Sequence, residues 1–312
     1  MHNAYQALFK QDLDKKWDKE IETCTLLANA MFPGMTPKKL LVTEFRKLVD
    51  VYMYYINYIN TLSPADQISV SAAAASVFNY TSHARKIAKF LLDSTNQFDE
   101  IHNCVYCDTQ KVSTFSFKGK KVRRFDLEHV LDKGSCPLLG LSLYNFVPSC
   151  KTCNDPPLKG TKTIGVSIEE IKHLSPTNPS YDFENKVFFV LNPKFPNVSD
   201  TIRLNHPSHY YIDFEYIDKT YAKSVDLFAL KERYNNDFLQ EALKYLDMLN
   251  KYTPQYINAI AALSHQSYDE VYEEQFRIKF DRTNHSPYKK AKEDILGISK
   301  RILSSKQEAL NT

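Results

Sequence analysis

Two Cys-x-x-Cys pairs constrain this chain more than any other feature. Cys104-Val-Tyr-Cys107 and Cys150-Lys-Thr-Cys153 hold four of the six cysteines, and residues 108–149 lie between the pairs. In a reducing compartment this spacing favours a metal over disulfides, and four thiolates fill the tetrahedral shell of Zn²⁺ without an open position. We therefore predict a structural zinc site that closes a small folded segment. The alternative is two unrelated cysteine pairs.

The composition is that of a globular protein rather than a disordered or membrane-spanning one. Of 312 residues, 43% are hydrophobic and 25% are charged, only 7 are Gly, 20 are Tyr and 19 are Phe. Few glycines and many bulky aromatic side chains favour mainly helical packing. The N-terminal residues lack the apolar segment of a signal peptide, and the sequence has no run of about 18 apolar residues. We therefore expect a cytoplasmic protein with no membrane partner.

Residues 1–98 are predicted to form a helical region. Thr36-Pro37 and Ser63-Pro64 each combine a capping hydroxyl with proline at the first helical position. After Pro37, apolar residues recur every three or four positions and predict one amphipathic helix to about Asn60. The run that begins at Pro64 is helical with a break near Asn79. This region is a candidate for docking a partner or substrate.

Residues 166–312 are predicted to mix strands and helices and to pack on the central region at 99–165. Apolar alternation and helical periodicity predict strands at 186–191 and 210–217, one long helix at 226–252, and further helix starts at Thr253-Pro254 and Ser286-Pro287.

Positive charge is concentrated around the cysteines. Residues 101–165 contain ten Lys or Arg and five Asp or Glu, a net +5, whereas the whole chain has a net charge of +3. The run KGKKVRR (118–124) follows an alternating stretch, so it predicts a β-hairpin that turns at Lys118-Gly119. Such a run is often only a solvated turn. Beside a zinc motif it favours contacts with a phosphate backbone, made by Lys120, Lys121, Arg123 and Arg124.

The segment between the two cysteine pairs contains an ordered set of polar residues. Glu128-His129 and Lys133 come first, Asn145 precedes the second pair, and Asn154 and Lys159-Gly160 follow it. This order, flanked by the two cysteine pairs, resembles the four-cysteine branch of the HNH endonuclease family, which occurs in bacterial defence and restriction systems. The resemblance covers about residues 101–165. It implies a ββα-metal fold, in which a hairpin and one helix surround a catalytic divalent ion. Together with the helical character of the flanking regions, this predicts a mainly α protein with a small α+β core.

The resemblance and the chemistry of phosphodiester hydrolysis assign roles to these residues. A neutral imidazole is the natural base that activates water, so His129 takes that role. Glu128 and Asn154 are placed to offer oxygen ligands to a catalytic Mg²⁺ or Mn²⁺. By family analogy, Asn145 orients the loop that carries His129. Lys133 and Lys159 are candidates for phosphate contacts.

Two departures from the family pattern concern the second half of the motif. Lys159 follows Asn154 by five residues rather than about three, and Pro156-Pro157 stands where the family helix begins. Proline is tolerated in a first helical turn, so that helix is expected to start late. Asp126 and Asp155 are possible substitute ligands for the ion.

The sequence therefore predicts a metal-dependent HNH endonuclease that acts on nucleic acid, with DNA as the preferred substrate. A protein partner such as an ATPase or sensor subunit is compatible with the helical region. The alternative is a zinc-stapled nucleic-acid-binding or partner-docking module that does not cleave.

Overall fold

The computed structural model describes residues 1–9, 12–91, 101–195, 206–279 and 286–298. These residues are mainly helical, with three small antiparallel sheets of two strands each. They divide into two compact units, one made of residues 1–106 and 111–181 and the other of residues 107–110 and 182–312. The predicted regions 1–98 and 99–165 thus fall largely within one unit. No helix of the described ranges combines the length and the apolar character needed to cross a membrane.

The first unit contains nine helices among its described residues. Their bounds are His2–Ala7, Asp12–Thr23, Leu26–Ala30, Pro37–Leu40, Phe45–Ile59, Pro64–Val77, Tyr80–Leu91, Lys151–Asn154 and Ile168–His173, with 3₁₀ turns at Pro137–Leu139 and Leu143–Asn145.

Hydroxyl caps set two of these starts. The Thr36 side chain accepts from the backbone N–H of Lys39 at 3.3 Å, and the Ser63 side chain accepts from Asp66 at 3.2 Å. Each cap satisfies a donor that the first helical turn would leave unpaired. Both predicted helix starts are confirmed.

The prediction of one helix from Pro37 to about Asn60 is wrong. The first helix ends at Leu40, and a second begins only at Phe45. The carbonyl of Leu41 accepts from the N–H of Leu143 at 2.8 Å, so it serves a tertiary contact instead of the next helical turn. The predicted break near Asn79 is confirmed, since Asn79 Oδ1 accepts from Ser82 N at 3.0 Å between two helices. Residues 92–98 lie outside the described ranges.

The core of the first unit joins the N-terminal helices to the segment 137–145. Leu138, Leu139 and Leu141 are fully buried there. Gly140 lies so close to the end of the helix Pro64–Val77 that a Cβ would stand 2.8 Å from the carbonyl oxygen of Phe78. Only glycine fits that approach. The helical region therefore fixes the path of a segment that contacts His129.

Four short strands follow in the same unit. Strand β1 (Thr114–Phe117) pairs with β2 (Lys120–Arg123), and β3 (Asp126–His129) pairs with β4 (Phe146–Ser149), both antiparallel. Lys118 and Gly119 adopt φ of 48° and 72°, the left-handed pair required by a tight two-residue turn. The predicted hairpin at this turn is confirmed.

The second cysteine pair itself forms a single helical turn, Lys151–Asn154. Residues 155–166 contain turns and bends but no helix, and the next helix begins at Ile168. The expected late helix after Pro156-Pro157 is therefore not formed in this segment.

The second unit contains the two predicted strands and seven helices among its described residues. Strand β5 (Val187–Pro193) pairs with β6 (Tyr210–Tyr216), which confirms both predicted strands. The helices are Phe183–Lys186, Ala222–Leu227, Leu230–Asp237, Leu239–Lys251, Pro254–Ser264, Tyr268–Phe276 and Lys289–Ile295, with 3₁₀ turns at Pro207–His209 and Lys219–Tyr221.

The prediction of one helix over 226–252 is wrong, because the chain turns twice within that stretch. Ala229 has φ of 47°, a left-handed conformation that ends a right-handed helix. The helix after it is tied to β6, since the Asn235 side chain accepts from Ile212 N at 2.8 Å and donates to Ile212 O at 2.7 Å. Thr253 caps the helix Pro254–Ser264 as predicted, whereas the helix predicted at Ser286-Pro287 begins at Lys289.

Candidate metal centre and polar cleft

The four cysteines of the two pairs converge in a buried cluster. Their sulfur atoms all lie within 4.8 Å of one another, and each residue is at most 2% exposed. The N–H of Cys150 donates to Cys104 Sγ at 3.2 Å, a contact that supports a thiolate. Four thiolates at this spacing fit Zn²⁺, so the cluster can hold such an ion. The prediction of a shared site is confirmed, and the alternative of two unrelated pairs is wrong.

The second cysteine pair also positions its neighbour. Cys150 precedes the one-turn helix, and its carbonyl accepts from the N–H groups of Cys153 and Asn154, both at 3.1 Å. Asn154 is therefore held by the same turn that orients Cys153. Its side chain faces a second feature, a polar cleft.

The polar cleft is a cavity of about 260 Å³ beside strand β3. It brings together five of the predicted site residues: Arg123, Glu128, His129, Lys133 and Asn154. The remaining lining residues are Tyr80, Asp126, Leu127, Asp132 and Gly160.

His129 lies at the end of β3 with its ring enclosed by aromatic neighbours. Ring centroids of Tyr80 and Phe146 both lie 4.7 Å from its own. His129 Nε2 is 3.1 Å from the carbonyl oxygen of Gly140. A carbonyl only accepts, so Nε2 carries the proton and Nδ1 carries the lone pair. Burial, reinforced by the charge of Lys133, lowers the pKa of His129 to about 3, so the ring is neutral at pH 7.

Asn145 does not line the cleft but fixes the backbone that follows His129. Its side chain accepts from Leu131 N at 2.7 Å and donates to Leu131 O at 2.9 Å and Leu139 O at 3.2 Å. Its own carbonyl accepts from Val130 N at 2.9 Å. Asn145 is fully buried. Asn145 therefore holds the backbone of Leu131 and Leu139 in place, and its role in orienting His129 stays a prediction.

Glu128 and Lys159 are placed differently from their predicted roles. The Lys159 ammonium is fully buried, lies 2.5 Å from Glu128 Oε1, and donates to the carbonyl of His129 at 2.9 Å. Tyr106 donates to the other carboxylate oxygen at 3.0 Å. Burial raises the pKa of Glu128, and the Lys159 charge opposes that shift. Lys159 therefore neutralises Glu128 inside the protein and is not exposed to a phosphate.

Asp126 and Asn154 provide the more accessible oxygen atoms of the cleft. Asn154 Nδ2 donates to Asp126 Oδ2 at 3.3 Å, and both residues are partly exposed. Asp126 points to the same side of β3 as Glu128, because strand residues alternate. Of the two substitute ligands considered from the sequence, Asp126 lines the cleft and Asp155 does not.

Two cations, Arg123 and Lys133, also line the cleft. Lys133 Nζ lies 5.6 Å from the Tyr80 ring centroid. Arg123 neighbours the Tyr80 hydroxyl, where its charge opposes the rise in pKa that burial gives this tyrosine. Arg123 Nη1 is buried and has no hydrogen-bond partner among the described residues. Arg124 contacts Phe115 outside the cleft, and the side chains of Lys120 and Lys121 lie outside the described part of the chain.

Sequence reasoning missed Tyr80, Tyr106 and Gly140. Tyr80 is remote in sequence, and no local motif marks any of the three. Tyr106 stands between two cysteines, which is the one signal that could have drawn attention to it. Comparison of the chain with family models, with curated proteins and with solved structures gives no match.

Proposed function

We propose that the protein is a metal-dependent endonuclease of the HNH type that hydrolyses phosphodiester bonds of DNA. The observation that carries the proposal is the composition of the polar cleft. A neutral imidazole, accessible oxygen donors and two cations line one cavity of about 260 Å³. A module that only binds nucleic acid has no need of that combination.

His129 is the proposed general base. The Gly140 carbonyl holds its proton on Nε2, so Nδ1 is the atom that accepts a proton from water. The two flanking aromatic rings restrict the imidazole to one orientation. Asn145 fixes the chain that follows His129, because its side chain bonds the backbone N–H and carbonyl of Leu131.

The donor set of the cleft fits a hard divalent ion. Mg²⁺ prefers oxygen ligands and is often held by one or two carboxylates together with water and substrate phosphate. Asp126 and Asn154 would hold the ion, since Glu128 is already paired with Lys159. Such an ion supplies positive charge to the phosphate and to the departing 3′ oxygen.

Arg123 and Lys133 are the proposed phosphate contacts. Both side chains line the cleft, where a phosphate oxygen would accept charge-assisted hydrogen bonds from them. As the effector of a defence or restriction system, the enzyme would act beside a protein partner such as an ATPase or sensor subunit, a setting suggested by the family resemblance alone.

The test is cleavage of plasmid DNA by the full chain in Mg²⁺, Mn²⁺ or EDTA. We expect cleavage with a divalent ion and a loss of at least about 100-fold in rate for His129→Ala. His173→Ala, a histidine outside the cleft, is the matched control and should cleave like the wild type. Zinc content and circular dichroism should be the same for all three proteins.

Two outcomes would contradict the proposal. Full cleavage by His129→Ala would assign the base elsewhere. Binding of DNA by the wild type without cleavage in either metal, alone or with a captured partner, would favour the non-cleaving module.

A further inference from the structure

The β1–β2 hairpin exposes two aromatic side chains on a strongly basic ribbon. Phe115 and Phe117 are 42% and 58% exposed. Among the described residues of the first unit, these are the only aromatic side chains with such exposure; Met1, Ile68, Val166 and Ile168 are the other large exposed apolar residues there. Two solvent-exposed phenyl rings, two residues apart on one strand, indicate a surface that a ligand covers.

The pairing register sorts the ribbon into two faces. Phe115 pairs with Val122 and Phe117 with Lys120, so both rings lie on one face. Thr114 pairs with Arg123 on the opposite face. Because Arg123 also lines the polar cleft, the hairpin runs from the cleft outward.

Charge on the ribbon is of one sign. Residues 113–125 contain five Lys or Arg and no Asp or Glu. Two of these cations contact the rings directly: Lys118 Nζ lies 5.4 Å from the Phe117 centroid, and Arg124 lies 5.0 Å from the Phe115 centroid. The partner of this surface must therefore present flat apolar groups together with regularly spaced negative charge.

We propose that the β1–β2 hairpin binds an unpaired strand of nucleic acid. Bases stack on Phe115 and Phe117, while the cations contact the phosphates between them. Unpaired bases expose the faces that a duplex keeps stacked, and aromatic platforms interleaved with cations are the general means of binding them. The inference rests on the proposed function only for its substrate class, and it assigns the preference for single-stranded segments to the hairpin.

The experiment measures binding by fluorescence anisotropy in EDTA, where no cleavage is expected. The probes are a labelled oligothymidine of about 15 nucleotides and an abasic strand of the same length and charge. Wild type should bind the oligothymidine more tightly than the abasic strand. Phe115→Ala/Phe117→Ala should lose about fivefold or more in affinity for each ring and should bind both strands equally.

Matched variants separate stacking from other effects. Phe115→Trp/Phe117→Trp should keep the preference for oligothymidine, because the ring remains. Ile68→Ala/Val166→Ala removes exposed apolar groups elsewhere in the same unit and should bind like the wild type. The alanine variant should keep the wild-type slope of affinity against salt, since it loses no charge, whereas Arg123→Gln/Arg124→Gln should flatten that slope.

Either of two results would overturn the inference. One is equal binding of both strands by the wild type. The other is affinity of the double alanine variant within twofold of the Ile68→Ala/Val166→Ala control, which would leave the rings to a protein partner. Binding is measured without metal, so it is independent of cleavage. A protein that binds the oligothymidine through the two rings but never cleaves DNA would contradict the proposed nuclease activity and support the role of the hairpin. A protein that cleaves DNA but does not need the two rings for binding would support the nuclease activity and contradict the role of the hairpin.

Discussion

The cysteine cluster and the polar cleft are neighbours in sequence but are built on opposite plans. The cluster uses one type of donor, and its four members are at most 2% exposed. The cleft uses amide, carboxylate, imidazole and cationic groups, and it opens to a cavity of about 260 Å³. A closed set of identical ligands stabilises a fold, whereas an open and mixed set can take part in chemistry.

The two sites meet at one peptide bond. Cys153 belongs to the cluster and Asn154 to the cleft, and the same carbonyl of Cys150 fixes both. Damage to the cluster should therefore reach the cleft, while damage to the cleft should leave the cluster intact. The following experiments test this asymmetry in order of expected effect.

Loss of the metal should have the largest effect. Cys153→Ser, or exhaustive chelation of the wild type, should unfold the segment around the cluster, because structural zinc contributes on the order of 10 kcal/mol to folding in small zinc domains. Metal content and near-ultraviolet circular dichroism measure the effect. Cys24→Ser, which changes a cysteine outside the cluster, should keep its metal and its spectrum. A Cys153→Ser protein with native zinc content and melting temperature would show that the cluster does not stabilise the fold.

Lys159→Met should destabilise the protein by about 3–5 kcal/mol, because it leaves the buried carboxylate of Glu128 without its counter-charge. Urea unfolding measures the change, and zinc content should stay the same. Lys172→Met removes the more exposed ion pair with Asp50 and should cost less than about 1 kcal/mol.

The double variant Lys159→Met/Glu128→Gln tests whether Glu128 serves the buried ion pair or a catalytic ion. It should recover part of the lost stability, since neither charge remains. If Glu128→Gln alone abolished cleavage and left stability unchanged, Glu128 would be an ion ligand after all, as the sequence predicted.

Asn145→Ala should cost about 2–3 kcal/mol, because it leaves buried backbone groups of Leu131 and Leu139 without partners. Cleavage should fall more steeply than the folded fraction does, since the loop after His129 is released. Asn60→Ala, at an exposed helix end, is the control for the substitution itself. Equal losses of stability and cleavage would reduce Asn145 to a purely structural residue.

Tyr80→Phe should have the smallest effect. The ring keeps its edge-to-face contact with His129, so stability should change by less than about 0.5 kcal/mol. Loss of the hydroxyl beside Arg123 should raise KM for DNA more than it lowers kcat. An unchanged KM would remove Tyr80 from the phosphate side of the cleft.

Features encoded over a few residues could be predicted from the sequence. The turn at Lys118-Gly119 and the caps at Thr36 and Ser63 follow from backbone preference and local spacing. The meeting of the two cysteine pairs follows from the Cys-x-x-Cys spacing within each pair together with the four thiolates that zinc prefers. The helix boundaries at Leu40 and Ala229 could not be predicted, because tertiary hydrogen bonds and packing override periodicity there.

In the polar cleft, too, tertiary contacts could not be predicted from the sequence. The motif marked His129 and Asn154, which line it, but gave no sign that Lys159 turns inward to Glu128. Tyr80 comes from a helix some fifty residues earlier, so only the folded chain shows that it packs on the imidazole. Spacing along the chain reveals which groups are available, whereas burial decides which of them remain free to react.

Gly140 gives the imidazole a dependence on a distant helix. Its oxygen selects the protonated nitrogen of His129, while its α-carbon is wedged against the Phe78 carbonyl. Even one added methyl group at this position would force those two backbones apart and displace the acceptor. A substitution at the end of the helix Pro64–Val77 would therefore disturb the proposed base through the tautomer of a ring it never touches, while the four-cysteine cluster stays in place.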